Sequence, residues 1–170
     1  MSSYDRHVDR SPKSTHTVMH RITFVASSRI PASAEAVFDW HEAPGAFERL
    51  TPPWERVRVV RHEGGIRDGA QVSLLVGPAP FSLRWDLEHR DYQHGRSFTD
   101  QQTRGPFRFW KHVHRMIPEG PDACVLDESI EYELPLGRVG WLVGRLFVER
   151  KLRRLFAYRH DVTRRAFAAR

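Results

Sequence analysis

The 170-residue chain is predicted to be an α+β protein in which a seven-stranded antiparallel sheet wraps around one long C-terminal helix. Three observations predict it. A first strand-like run is followed at once by two short helical patterns. Six further strand-like runs come next, divided by Gly and Pro turn signals. The chain then closes on a proline-free stretch, 137–167, with apolar residues at helical spacing. A sheet with one apolar face must be covered, and only the last helix is large enough to cover it.

Each element has its own local reason. Residues 1–18 show no apolar period and are expected to be a disordered leader. Residues 19–30 are rich in β-branched and aromatic side chains and form the first strand, which Pro31 closes. Ser33 is placed to cap a helix, with Glu35 favourable against its dipole. Ala34, Val37, Phe38 and His41 then recur at i, i+3, i+4 and i+7 before Pro44 ends the pattern. A second short helix is expected over 44–50, with Phe47 and Leu50 as its apolar face and Pro52 and Pro53 as its stop. Strands are expected at 56–62, 70–76, 81–92, 97–103, 109–117 and 124–134. The dividers are Gly64-Gly65 with Asp68-Gly69, Gly77-Pro78, His94-Gly95, Gly105-Pro106 and Glu119-Gly120-Pro121, which makes the order a meander. On the last helix, Leu142, Leu146, Leu152 and Leu155 are expected to face the sheet. Strong curvature of the sheet around that helix leaves a space between them.

Composition narrows the function. The length suits one core, expected over 19–168, and 40% hydrophobic with 28% charged residues is the balance of a soluble globular chain. No run approaches the roughly 18 apolar residues of a spanning helix, and residues 1–18 lack the apolar stretch of a secretory signal, so a cytoplasmic protein is expected. Cys124 is the single cysteine, which excludes an internal disulfide and a cysteine-based zinc cage. No strand leads into GxGxxG, so no dinucleotide is expected. The net charge of +6 is concentrated: residues 137–170 hold ten Lys or Arg against Glu149 and Asp161, while the rest holds 17 basic and 19 acidic side chains. Such a tail marks either an anionic partner, such as RNA, a ribosome or an acidic membrane, or the solvated outer face of a helix. DNA is not expected.

Candidate site residues follow from the period of two along strands. Trp110, His112, His114 and Met116 share one face of the strand 109–117, while Lys111 and Arg115 mark the other as wet. Leu126, Glu128, Ile130, Tyr132 and Leu134 share a face of the strand 124–134, which puts a carboxylate on an apolar surface. Consecutive strands pair, so Glu128 is expected near His112 or His114, where its charge raises a histidine's pKa and burial opposes that. The three form either a satisfied polar network that orients the sheet, an anchor for a ligand, or a general acid/base pair. His112 and His114 also have a metal-ligand spacing, but no third ligand is evident, so neither metal nor cofactor is expected. Leu83, Trp85 and Leu87 share a half-buried face; Trp85 fills the core or lines a cavity. Phe38, His41, Phe47, Leu50 and Trp54 border the mouth as a gate or pack on the sheet, and Leu142 and Leu146 are candidates for ligand contact.

The segment FVASSRIPASAEAVFDW at 24–40 resembles the opening strand and helix of the START/Bet v 1-like SRPBCC superfamily. HEAPGAFERLTPPWE at 41–55 is similar to one bacterial subgroup, found alone or fused to an epimerase-like domain. Gly105-Pro106-Phe107, the run from Trp110 to His114, Tyr132-Glu133-Leu134-Pro135 and Phe156-Ala157-Tyr158-Arg159 fit the same subgroup. The resemblance implies a helix-grip fold with a hydrophobic cavity between sheet and helix, binding a small lipid-like or polyketide-like molecule. Two alternatives stand beside that expectation: a cyclase or aromatase using His112, His114 and Glu128, and a protein docking through its basic last helix.

Overall fold

The computed structural model describes residues 21–168. The expected leader and the first two residues of the expected opening strand lie outside them. The order is β1 (Ile22–Ile30), α1 (Ala34–Glu42), α2 (Ala46–Leu50), β2 (Val57–Glu63), β3 (Gln71–Val76), β4 (Leu83–Gln93), β5 (Ser97–Arg104), β6 (Phe109–Pro118), β7 (Cys124–Glu133) and α3 (Gly137–Ala168).

All seven strands form one antiparallel sheet in the order β1-β7-β6-β5-β4-β3-β2. The meander accounts for β2 to β7. The two short helices carry the chain from one edge of the sheet to the other. Register shifts at Val59/Arg61, Asp86/Leu87 and Arg90/Gln93 interrupt the ladders of β2–β3 and β4–β5. Such bulges bend a strand and increase its twist, which curls this half of the sheet.

α1 is built as its sequence predicts. Ser33 Oγ accepts from the Ala36 amide at 3.2 Å, and Ala34, Val37, Phe38 and His41 are its buried residues. α2 starts at Ala46 rather than at Pro44, because Gly45 takes a left-handed conformation with φ 79° at the N-cap and turns the chain there. β4 likewise starts at Leu83, not at residue 81; Phe81 lies in the preceding turn and is exposed.

At 32 residues, α3 is about 48 Å long at 1.5 Å per residue. Leu152, Phe156, His160, Thr163 and Phe167 form its buried stripe. Phe156 packs against Phe24 of β1 with ring centroids 5.4 Å apart. Leu142 and Leu146, expected to face the sheet, instead point to solvent at 71% and 73% exposure. The reason is angular: Leu146 lies six residues before Leu152, about 120° around the helix. The inward face there is shared by Val148 and Gly144. A Cβ on Gly144 would stand 3.1 Å from Leu134, so the small residue lets the helix approach β7's end.

The basic face of α3 has internal partners. Arg153 meets Glu149 at 2.6 Å, Lys151 meets Glu55 at 2.9 Å, Arg165 meets Asp161 at 2.7 Å, and Arg154 lies over the Trp54 ring. Among the described residues, no helix is long and apolar enough to cross a membrane.

Candidate functional site

Between the curled sheet, α2 and α3 lies a cavity of about 450 Å³. Its walls are mainly apolar: Leu74, Leu83, Trp85 and Leu87 from the sheet, Phe47 and Leu50 from α2, Leu152 and Phe156 from α3. One region is different. His41, His89, Asp100, His112 and His114 all line the cavity, and each of these histidines is no more than 6% exposed.

Strand pairing assembles this region. His114 is the direct partner of Glu128 across β6–β7, and His112 is the direct partner of Asp100 across β5–β6. On the next strand, His89 is the partner of Asp100 across β4–β5. Alternation turns these positions to the inner face. His114 therefore sits between two carboxylates: its Nε2 donates to Asp100 Oδ2 at 3.2 Å, and its Nδ1 stands 2.7 Å from Glu128 Oε1, angled off the ideal hydrogen-bond line. Glu128 Oε2 accepts from His160 Nε2 at 2.9 Å, and His160 Nδ1 meets Ser28 Oγ at 2.8 Å. A continuous polar chain thus runs from Asp100 through His114, Glu128 and His160 to β1.

The electrostatics follow from this placement. Burial pulls His114 down, but its contacts with Asp100 and Glu128 outweigh burial and raise its pKa from 6.5 to about 9. His114 is then an imidazolium at neutral pH, stacked on Phe98 with centroids 4.1 Å apart. His112 is driven the other way: burial and the neighbouring His114 charge lower it to about 4, so its ring is neutral. Burial would push Asp100 and Glu128 up, but their histidine partners hold both well below the usual carboxylate range. His41 is lowered to about 4 by burial, and its Nδ1 donates to the Val37 carbonyl at 2.7 Å.

Several buried polar atoms on the cavity residues have no hydrogen-bond partner among the described residues: Trp85 Nε1, His89 Nδ1 and His112 Nε2. All three residues line the cavity. His112 Nδ1 and Nε2 stand 3.6 Å from Asp100 Oδ2 and Glu128 Oε1, too far for a hydrogen bond to either.

Of the residues singled out by sequence, His41, Phe47, Leu50, Leu83, Trp85, Leu87, Trp110, His112 and His114 line the cavity. Glu128 lies behind the histidines. Phe38, Met116, Ile130 and Tyr132 are fully enclosed in the two hydrophobic clusters rather than on the cavity wall. Trp54 packs outside the cavity against Tyr158, and Leu142 and Leu146 are solvent-facing. Sequence reading missed Asp100, His89 and His160. Asp100 was legible in part, since Phe98, Asp100 and Gln102 alternate on one face of β5; His160 follows Phe156 by one helical turn.

A curved seven-stranded antiparallel sheet gripping a long C-terminal helix, with two short helices after the first strand, defines the helix-grip class. Within it, the chain belongs to the family described as "Polyketide cyclase / dehydrase and lipid transport", whose model matches residues 30–156. Norcoclaurine synthase from Thalictrum flavum superposes with a TM-score of 0.67 at 16% identity, covering 89% of this chain and 96% of that one. The Zhui aromatase/cyclase from Streptomyces sp. R1128 gives 0.66 at 15% identity, over 85% and 92% of the two chains. A nucleoside-diphosphate sugar epimerase from Corynebacterium glutamicum gives 0.61 at 26% identity, with 82% of this chain matching 28% of that one. That last likeness agrees with the epimerase-associated subgroup anticipated from residues 41–55. A search of curated protein sequences finds no match.

Proposed function

We propose that the protein binds a small, largely apolar molecule bearing one or two polar groups. The observation that carries this reading is the 450 Å³ cavity with apolar walls and one polar region. Apolar area leaving water supplies the driving force, at about 25 cal/mol per Å². The unpartnered Trp85 Nε1 and His89 Nδ1 favour a ligand carrying both an acceptor and a donor, such as a hydroxyl, because a buried polar atom left unpaired is costly. Protein freed of bound lipid is expected to gain thermal stability with phenolic or polyketide-like compounds, as binding to the folded state requires. A broad panel of such compounds giving no shift would sink the proposal.

A second reading, general acid/base chemistry of the cyclase kind, is favoured by His112. Its ring is neutral, lines the cavity and makes no hydrogen bond to Asp100 or Glu128, beside a protonated His114. Turnover of a polyketide-like substrate that falls by about 10²-fold or more in His112→Ala, with binding retained, is the expected result for catalysis. Unchanged turnover in that variant removes His112 from any mechanism.

A further inference from the structure

We propose that Asp100, His112 and His114 form a site for one divalent transition-metal ion of the Zn²⁺ or Fe²⁺ type, open to the cavity. One ligand atom from each of the three lies within 4.8 Å of the other two. His112 Nδ1 and His114 Nε2 stand 3.6 and 3.2 Å from Asp100 Oδ2. Those distances bracket the roughly 3.4 Å that separates donors around a tetrahedral ion with bonds of about 2.1 Å. Two imidazoles and one carboxylate with remaining positions free is a donor set suited to these ions.

The surroundings carry the inference further. A metal-bound histidine generally holds its other ring nitrogen on a carboxylate. Here both histidines present that other nitrogen to the same oxygen: His114 Nδ1 is 2.7 Å and His112 Nε2 is 3.6 Å from Glu128 Oε1. Glu128 is in turn held by His160 at 2.9 Å. Asp100 is steadied likewise, its Oδ1 lying 3.0 Å from His89 Nε2. His112, only 3% exposed, has its Nδ1 beyond hydrogen-bond distance of Asp100, so an ion there joins two groups that do not bond directly, while it replaces the 3.2 Å hydrogen bond between His114 Nε2 and Asp100 Oδ2 and displaces the proton on that nitrogen. Because all three residues line the cavity, an ion can enter, and its open positions face the space where a small molecule would sit. Sequence spacing offered only the two histidines; the third ligand comes from a neighbouring strand. The site therefore departs from the expectation of no metal, and it does not depend on which organic molecule binds.

The test uses the full chain, stripped with a chelator and dialysed, then titrated calorimetrically with Zn²⁺ and, separately, with Co²⁺ followed by visible d–d absorption. One equivalent per chain and Co²⁺ bands of a low-coordinate site are expected. Asp100→Asn and His112→Ala should each weaken binding at least about tenfold, and Glu128→Gln, which touches no metal, by roughly 10- to 100-fold. Circular dichroism establishes that each variant folds; should His112→Ala fail, the near-isosteric Asp100→Asn decides. Asp39→Asn, in the exposed group of Asp39, Glu42 and His94, should leave binding unchanged. No saturable binding at one equivalent, or binding that survives Asp100→Asn and falls in Asp39→Asn, overturns the proposal.

Discussion

His114 and Glu128 occupy directly paired positions on β6 and β7, and their side chains meet at 2.7 Å inside the protein. Both are nearly inaccessible to solvent. The contact is a buried charge pair, and such pairs are costly chiefly when one member is removed. Glu128→Ala leaves the His114 imidazolium with one carboxylate and His160 with none, and should lower stability by about 3–5 kcal/mol. Urea unfolding measures it; a loss under about 1 kcal/mol would mean the pair contributes no more than a surface contact.

The same residues set the pH response of metal-free protein. His114 has a folded pKa of about 9 against 6.5 unfolded, so its contribution is full below 6.5 and disappears as pH rises through 9. His112 and His41 are lowered to about 4, so the fold favours their neutral rings, and their contribution is lost as pH falls from 6.5 through 4. Since the His112 and His114 rings lie 3.8 Å apart, tilted by 43°, and the His114 charge shifts His112, the apparent values belong to the pair. Unfolding midpoints measured with chelator present should peak near pH 6.5 and decline on both sides. A midpoint rising steadily to pH 9 contradicts the assignment of His114.

Filling the cavity should abolish binding without unfolding the protein. Leu87 is partly buried on the cavity wall, so Leu87→Trp can extend into open space instead of into packed neighbours. The variant is expected to keep its own melting temperature within a few degrees and to lose any ligand-induced shift. An undiminished shift would locate the ligand elsewhere.

The two halves of α3 should respond differently to substitution. Leu142→Gln and Leu146→Gln alter exposed side chains and should change stability by less than about 0.5 kcal/mol. Leu152→Ala removes a side chain 5% exposed and should cost about 2–5 kcal/mol. Equal losses at the three positions would place the first turns of α3 against the sheet after all.

The helices and strands were legible because each carries a local signal: Ser33 at a cap, Phe38 and His41 on one helical face, His112 and His114 alternating with Lys111 and Arg115. The errors fell where local signals compete. Pro44 reads as a helix start, yet Gly45 turns the chain first. Leu142 and Leu146 read as core because a run of leucines hides angular slips of about 80° and about 120° relative to Leu152.

From the residues alone came the order of elements, the helix-grip class, the family resemblance and the juxtaposition of Glu128 with the two histidines, since antiparallel neighbours in a meander must pair. Only the folded chain settled which of those side chains border empty space and which are sealed in packing. Asp100, His89 and His160 joined the cluster through strand register and helix docking over separations of up to 132 residues, as between His160 and Ser28. Such contacts leave no mark in local spacing, because curvature and docking are set by the summed packing of distant segments rather than by any one of them.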